Sequence, residues 1–192
     1  DLVSTKDGVL VARHENAIAI VDATGTIKEA TTDVADRPEF ADRKTTKVID
    51  GVSITGWFTE DYTQAELKTL RARARLPQLR TANTRFDGIF EVPTLDEVLH
   101  LVAQANERRQ QQALATGGWK AALKVKPIGV YPETKHPTYF DGIGLSLEEP
   151  LVRTLNKHGL RFKTSPVFIQ SFEVSNLQDL AKMTRVPLVQ LL

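Results

Sequence analysis

The 192-residue chain contains no cysteine, a single methionine and only two tryptophans. Without thiols it can form neither disulfides nor thiolate metal or redox sites, a composition compatible with export. Charge of one sign is lacking too: 25 Lys and Arg stand against 24 Asp and Glu, for a formal net charge of +1. So small an excess supplies no field to steer a polyanion, which argues against nucleic acid as a partner. No apolar run reaches the ~20 residues that a membrane-spanning helix needs. No internal repeat, low-complexity tract or signal peptide is visible. A chain of this length is expected to fold as one domain with a sizeable core.

What is present concentrates in residues 129–137, Gly-Val-Tyr-Pro-Glu-Thr-Lys-His-Pro. An apolar run stops at Pro132, and Glu133 and Lys135 follow two residues apart. In extended backbone that spacing puts both side chains on one face. A carboxylate able to hold a hard cation beside a lysine able to meet an anion suits phosphate-ester chemistry. A solvated salt pair at a strand end is the other reading of the same residues.

The start of the chain carries a second constellation. Residues 1–5 and 8–14 are short β-type runs joined through Lys6-Asp7-Gly8. Asp-Gly is a strong hairpin signal because both central residues of a type I′ turn need positive φ. A two-residue Asp7-Gly8 loop predicts Lys6 opposite Val9, Val3 opposite Ala12 and Asp1 opposite His14, with opposed Cβ atoms roughly 4.5–5.5 Å apart. A metal-type carboxylate then adjoins a side chain able to move protons near neutral pH. A surface hairpin with polar tips fits the pattern equally.

Capping boxes recur at Thr63/Glu66, Thr94/Glu97, Ser146/Glu149 and Ser175/Gln178. Apolar residues at helical spacing follow each: Leu67, Leu70 and Ala74; Val98, Leu101, Val102 and Ala105; Leu151 and Leu155; Leu177, Leu180 and Ala181. His158-Gly159 closes the third helix. The Gln110–Gln112 run reads as the exposed end of the second. Between these helices lie strand-like runs at 121–125 or 128–131, at 167–172 and at 186–192. Alternating helices and nearly continuous apolar strands describe a helix-covered parallel sheet, and a (β/α) barrel is the best match. Such a barrel gathers functional groups at the C-terminal ends of its strands. Residues 17–93 fit the rhythm poorly and read as a long insertion after the first hairpin, shaping one wall of the site.

The runs 1–16, 54–61 (Ile-Thr-Gly-Trp-Phe-Thr-Glu-Asp), 93–99 (Pro-Thr-Leu-Asp-Glu-Val-Leu), 131–137 (Tyr-Pro-Glu-Thr-Lys-His-Pro) and 170–172 (Gln-Ser-Phe) occur in the order seen in one family. Through them the whole chain resembles the glycerophosphodiester phosphodiesterases, particularly the longer periplasmic or secreted bacterial type and its plant counterparts. The resemblance implies a TIM-type (β/α)8 barrel that hydrolyses glycerophosphodiesters, such as glycerophosphocholine, to sn-glycerol 3-phosphate and an alcohol. It further implies a divalent cation, Ca2+ or Mg2+, bound by Asp1 and Glu133. Lys135 falls on the residue that meets the substrate phosphate, and His14 on one of two acid/base histidines. The resemblance also implies attack by the substrate's own glycerol hydroxyl, giving a cyclic phosphate that water opens. A periplasmic or secreted location follows from the same likeness.

The family's other histidine, in a His-Arg-Gly segment, and its first metal-binding glutamate would both precede Asp1. A whole barrel also needs about 250 residues. The 192 residues are therefore expected to be an internal portion of a longer protein, a barrel incomplete in this chain. Among the remaining polar residues, Glu15 and Asn16 could orient His14, and Gln170 and Phe172 could sit near the site. His136 could touch substrate or serve structure, and His100 and His158 read as surface residues. Trp57, Phe58, Tyr139 and Phe140 could line the alcohol side of a pocket or anchor loops to the core. Two further functions compete with the leading one: a related barrel phosphodiesterase acting on intact phospholipid, and a non-catalytic phosphate-binding fragment.

Overall fold

In the computed structural model, which describes residues 1–192, the chain opens on an antiparallel hairpin of β1 (Leu2–Ser4) and β2 (Leu10–Ala12). Its register pairs Val3 with Val11 and Ser4 with Leu10, one residue away from the expected pairing. The loop is therefore three residues, Lys6-Asp7-Gly8, with only Gly8 at positive φ (76°). Side-chain bonds select this turn. Thr5 Oγ1 donates to Asp7 at 2.6 Å and accepts from the Val9 N–H at 3.0 Å, and the Asp7 carboxylate also takes the Gln64 N–H at 2.8 Å. The two-residue Asp-Gly turn does occur, but at Asp50-Gly51, where φ is 49° and 79° and Ile49 pairs directly with Val52.

The chain folds as two units, one formed by Asp1–Pro93 with Lys135–Leu147 and the other by Thr94–Thr134 with Glu148–Leu192. In the first, the segment read as a long insertion after the first hairpin builds a four-stranded antiparallel sheet. Its strands are β3 (Ala17–Val21), β4 (Ile27–Ala30), β5 (Thr45–Ile49) and β6 (Val52–Phe58), in the order β4-β3-β6-β5. Gly56 is required where β6 crosses β3, since a Cβ there would lie 2.0 Å from the Ala19 carbonyl oxygen. Phe58 packs with Ala17 and Ile49 in a buried cluster flanked by Ile20, Ile54 and Tyr139.

The first capping box forms, but α1 (Gln64–Leu67) is a single turn and does not reach Leu70 or Ala74. Tertiary bonds stop it: the Arg71 N–H goes to Asp33 Oδ1 at 2.7 Å and the Ala72 N–H to the Phe90 carbonyl at 2.7 Å, so residues 71–73 run extended. Leu70 is nonetheless fully buried. A short helix, α2 (Pro137–Gly142), completes this unit with Phe140 in the core.

The second unit begins with α3 (Leu95–Ala122), whose Thr94/Glu97 capping box is complete. Backbone at Gly118 (φ 67°) breaks it near its end, and residues 121–125 continue as helix and turn rather than strand. The glutamine run lies inside this helix, exposed as expected but not at its end. Next come α4 (Glu148–Lys157), β7 (Ile169–Ser171), α5 (Val174–Met183) and β8 (Leu188–Gln190). Leu151, Leu155 and Leu180 are buried, the apolar stripe that the spacing demanded. The Ser175/Gln178 capping box does not form, because α5 starts earlier, with Glu173 at its cap position and the Glu173 N–H bonded to Ser171 Oγ.

Parallel bridges join Val130 to Val167 and Glu133 to Gln170, and β7 pairs in parallel with β8. Helices α4 and α5 are the crossovers between these extended segments, which makes the unit α/β. No helix of the protein is long and apolar enough to cross a membrane.

Candidate active site

His14 lies two residues beyond β2, where the Arg13 N–H still bonds to the Asp1 carbonyl at 3.1 Å. Strand pairing therefore sets Asp1 against Arg13, not His14. Even so, Asp1 Oδ2 stands 3.9 Å from His14 Nε2, because the chain bends after β2 and turns the ring back. On the other side of the ring, Nδ1 lies 3.0 Å from Glu15 Oε1. That contact is an ion-pair distance and not an aligned hydrogen bond, so the Glu15 carboxylate acts on the ring through its charge. The His14 side chain is 58% exposed, so its ring is open to a substrate.

Glu15 is the hub of the first unit's polar cluster. Lys135 Nζ lies 3.6 Å from its Oε1, and His136 Nε2 lies 2.7 Å from its Oε2. The other ring nitrogen of His136 meets Asp50 Oδ2 at 2.5 Å. Both imidazole nitrogens face carboxylates, so both must donate, and His136 is an imidazolium. Burial alone would lower its pKa, but the bonds to Glu15 and Asp50 outweigh burial and raise it. Glu15 moves the other way. Its partial burial favours the neutral acid, yet the His136 bond and the nearby Lys135 charge hold it below the ordinary carboxylate range. His136, directly before Pro137, sits at φ 54°, uncommon for a residue with a Cβ, and its bonds to two carboxylates hold the ring there.

In the second unit, Glu133 is buried at the end of an extended segment, bridged in parallel to Gln170. The Gln170 N–H donates to the Pro132 carbonyl at 2.9 Å, and its side chain to the Tyr131 carbonyl at 3.3 Å. Phe172 is exposed just after β7. Thr134 Oγ1 donates to Asn176 at 2.6 Å, and the Asn176 amide donates to Glu148, anchoring the residue after Glu133.

Other sequence candidates have structural roles. The buried Asn16 amide donates to Glu60 at 3.0 Å rather than orienting His14. Trp57 and Phe58 are buried, the Trp57 indole N–H bonding to the Phe40 carbonyl at 2.8 Å. Tyr139 donates to Glu60 at 2.6 Å and Phe140 is fully buried, so these aromatics anchor loops. His100 is exposed and bonds Gln104, whereas His158 is partly covered and meets Asp96 at 2.8 Å. Sequence reasoning missed Asp50 as the partner of His136; the available signal was the Asp50-Gly51 dipeptide, whose tight turn holds that carboxylate at a fixed point.

Asp1 and Glu133 offer only oxygen donors, which fit a hard ion such as Ca2+ or Mg2+ and not a thiolate-type zinc centre. The structure gathers no group of three or more His, Cys, Asp or Glu side chains that could hold a metal.

Comparison with known proteins decides the family. The sequence pattern of the glycerophosphoryl diester phosphodiesterase family matches residues 1–192. The chain belongs to that family. It is 33% identical over 199 aligned positions to a glycerophosphodiester phosphodiesterase of Arabidopsis thaliana, covering 97% of this chain and 45% of the plant protein. It is 25% identical to a glycerophosphodiester phosphodiesterase of Haemophilus influenzae, covering 93% of this chain and 42% of the relative. The chain thus spans less than half the length of these curated relatives. A crystal structure of a protein described as a glycerophosphoryl diester phosphodiesterase, from Silicibacter pomeroyi, superposes with a TM-score of 0.54 at 15% identity, covering 99% of this chain and 52% of that one. At that identity the likeness concerns the fold alone.

Proposed function

We propose that this glycerophosphoryl diester phosphodiesterase chain takes part in metal-dependent hydrolysis of glycerophosphodiesters to sn-glycerol 3-phosphate and an alcohol. The observation that carries the reading is His14, exposed, with Nδ1 3.0 Å from Glu15 and Nε2 3.9 Å from the Asp1 carboxylate. Nε2 takes a proton from the attacking hydroxyl or returns one to the departing alkoxide. Glu15, 3.0 Å from Nδ1, sets a negative charge beside the ring that stabilises the imidazolium that forms. Lys135 serves as a point charge for a non-bridging phosphate oxygen. Asp1 and Glu133 are the carboxylates proposed to bind Ca2+ or Mg2+, which when bound neutralises phosphate oxygens and draws charge from phosphorus.

The same reading treats the unit of α3 to β8 as part of a (β/α)8 barrel. Its support is the parallel pairing of successive extended segments through helical crossovers. An exported setting, periplasmic or extracellular, belongs with it.

Phosphorus NMR on glycerophosphocholine tests the bond that breaks. Release of sn-glycerol 3-phosphate with free choline supports the assignment. Release of phosphocholine, or hydrolysis confined to intact phospholipid, would replace it with the related lipid-directed chemistry.

A further inference from the structure

A cavity of about 220 Å³ opens directly beside His14, lined by Arg13, His14, Glu15, Glu29, Arg73 and Arg75. Three guanidinium groups around so small a space are unusual unless each is matched by an acid, and one is not. Arg73 meets Asp36 at 2.5 Å and Arg75 meets Glu29 at 2.7 Å. Arg13 forms no ion pair. Its Nη2 donates to the Thr31 carbonyl at 2.7 Å, the same oxygen that accepts the Arg73 N–H at 2.9 Å. A neutral carbonyl satisfies one of five guanidinium donors and none of the charge.

We infer that this cavity is an anion subsite, in which Arg13, backed by Arg73 and Arg75, receives a phosphate or carboxylate carried by the alcohol portion of the diester. The inference rests on the proposed phosphodiesterase reading, since it places the alcohol beside the base His14. A guanidinium fork matches the paired oxygens of either group, and charge-assisted bonds of that kind are about twice as strong as neutral ones. Size limits the occupant: pockets for whole drug-sized ligands run to about 300–1,000 Å³, so this one suits a single charged headgroup and not acyl chains. Glu15 and Glu29 do not close the subsite to anions, because His14, Lys135 and His136 hold the first and Arg75 the second.

The test compares two substrates on the full 192-residue chain with Ca2+ or Mg2+: glycerophosphocholine, and a glycerophosphodiester whose alcohol bears a phosphomonoester. The unsubstituted chain is expected to favour the acidic diester, and Arg13→Met to lower the ratio of kcat/KM values (acidic over choline) by at least about tenfold, one charge-assisted contact. Arg13→Lys, which keeps the charge and guards against misfolding, should lose less. An unchanged ratio in both variants overturns the subsite. If neither substrate turns over, calorimetric titration with inorganic phosphate in chelator decides separately. Binding weakened by Arg13→Met but not by Lys135→Met upholds the subsite while the phosphodiesterase reading falls; equal binding by the unsubstituted chain and Arg13→Met overturns it. Phosphate binding lost with Lys135→Met alone would assign the anion to the reaction centre instead.

Discussion

Glu15 Oε1 lies 3.0 Å from Nδ1 of His14, the residue directly before it. Adjacent residues rarely aim their side chains at each other, and here the other Glu15 oxygen is pinned 2.7 Å from His136, which turns the carboxylate toward His14. The pair therefore has a built orientation. A positioned general base contributes about 10² to 10⁴-fold to a proton-transfer step. His14→Ala is expected to lose that whole factor. Glu15→Gln should lose about tenfold or more in kcat with KM nearly constant, since only orientation and charge at the base change. A rise in KM with kcat preserved would show Glu15 acting on substrate binding.

His136 gives a stability prediction with a defined sign. Its folded-state pKa is raised above 6.5 because its bonds to Glu15 and Asp50 outweigh burial. The folded protein then binds the proton more tightly than the unfolded chain. The resulting stabilisation is complete below pH 6.5 and disappears as pH rises through the higher folded value. Thermal unfolding of the unsubstituted protein and of His136→Gln should differ most near pH 6 and converge on the alkaline side. A difference that grows with rising pH would mean the ring is held neutral.

Phe58, at the end of β6, is completely buried against Ala17 and Ile49. Phe58→Ala should destabilise the first unit by about 3–5 kcal/mol through lost transfer energy and a residual cavity. Chemical denaturation followed by tryptophan fluorescence reads this through neighbouring Trp57. A loss under about 1 kcal/mol would contradict the packing, being the size of a surface change.

Thr94 heads the longest helix, and its hydroxyl accepts the Glu97 N–H while the Glu97 carboxylate takes the Thr94 N–H at 2.7 Å. Thr94→Ala should cost about 1 kcal/mol, while Thr94→Ser should cost less because its hydroxyl can still cap. Equal losses for both substitutions, measured by urea denaturation, would assign the effect to the lost methyl group.

These elements differ in how plainly they can be read from the sequence. The capping boxes at Thr63 and Thr94 and the helix end at His158-Gly159 were legible because their signals are local. So were the apolar positions Leu151, Leu155 and Leu180, and the strand runs around Ile169 and Val189. The hairpin register was not legible. Thr5 Oγ1 and the distant Gln64 N–H decide the Asp7-Gly8 turn, and neither belongs to the dipeptide. The length of α1 escaped for the same reason, since Asp33 and Phe90 capture the backbone after Leu70. The sheet in residues 17–93 carries weak alternation, and its edge strand β4 has little buried surface to announce it. At the candidate site, Asp1, His14, Glu15 and Lys135 were all nominated from sequence. Asp50 was not paired with His136, because 86 residues separate them.

The central claim is that the cluster around His14 supports metal-dependent phosphodiester cleavage. The most direct measurement is turnover of glycerophosphocholine by the 192-residue chain with Ca2+, with Mg2+ and with chelator, beside His14→Ala. The account predicts cleavage that requires a divalent ion and falls by about 10² or more in His14→Ala. Absence of turnover in a demonstrably folded sample under every condition, or turnover indifferent to both chelator and His14→Ala, would contradict it.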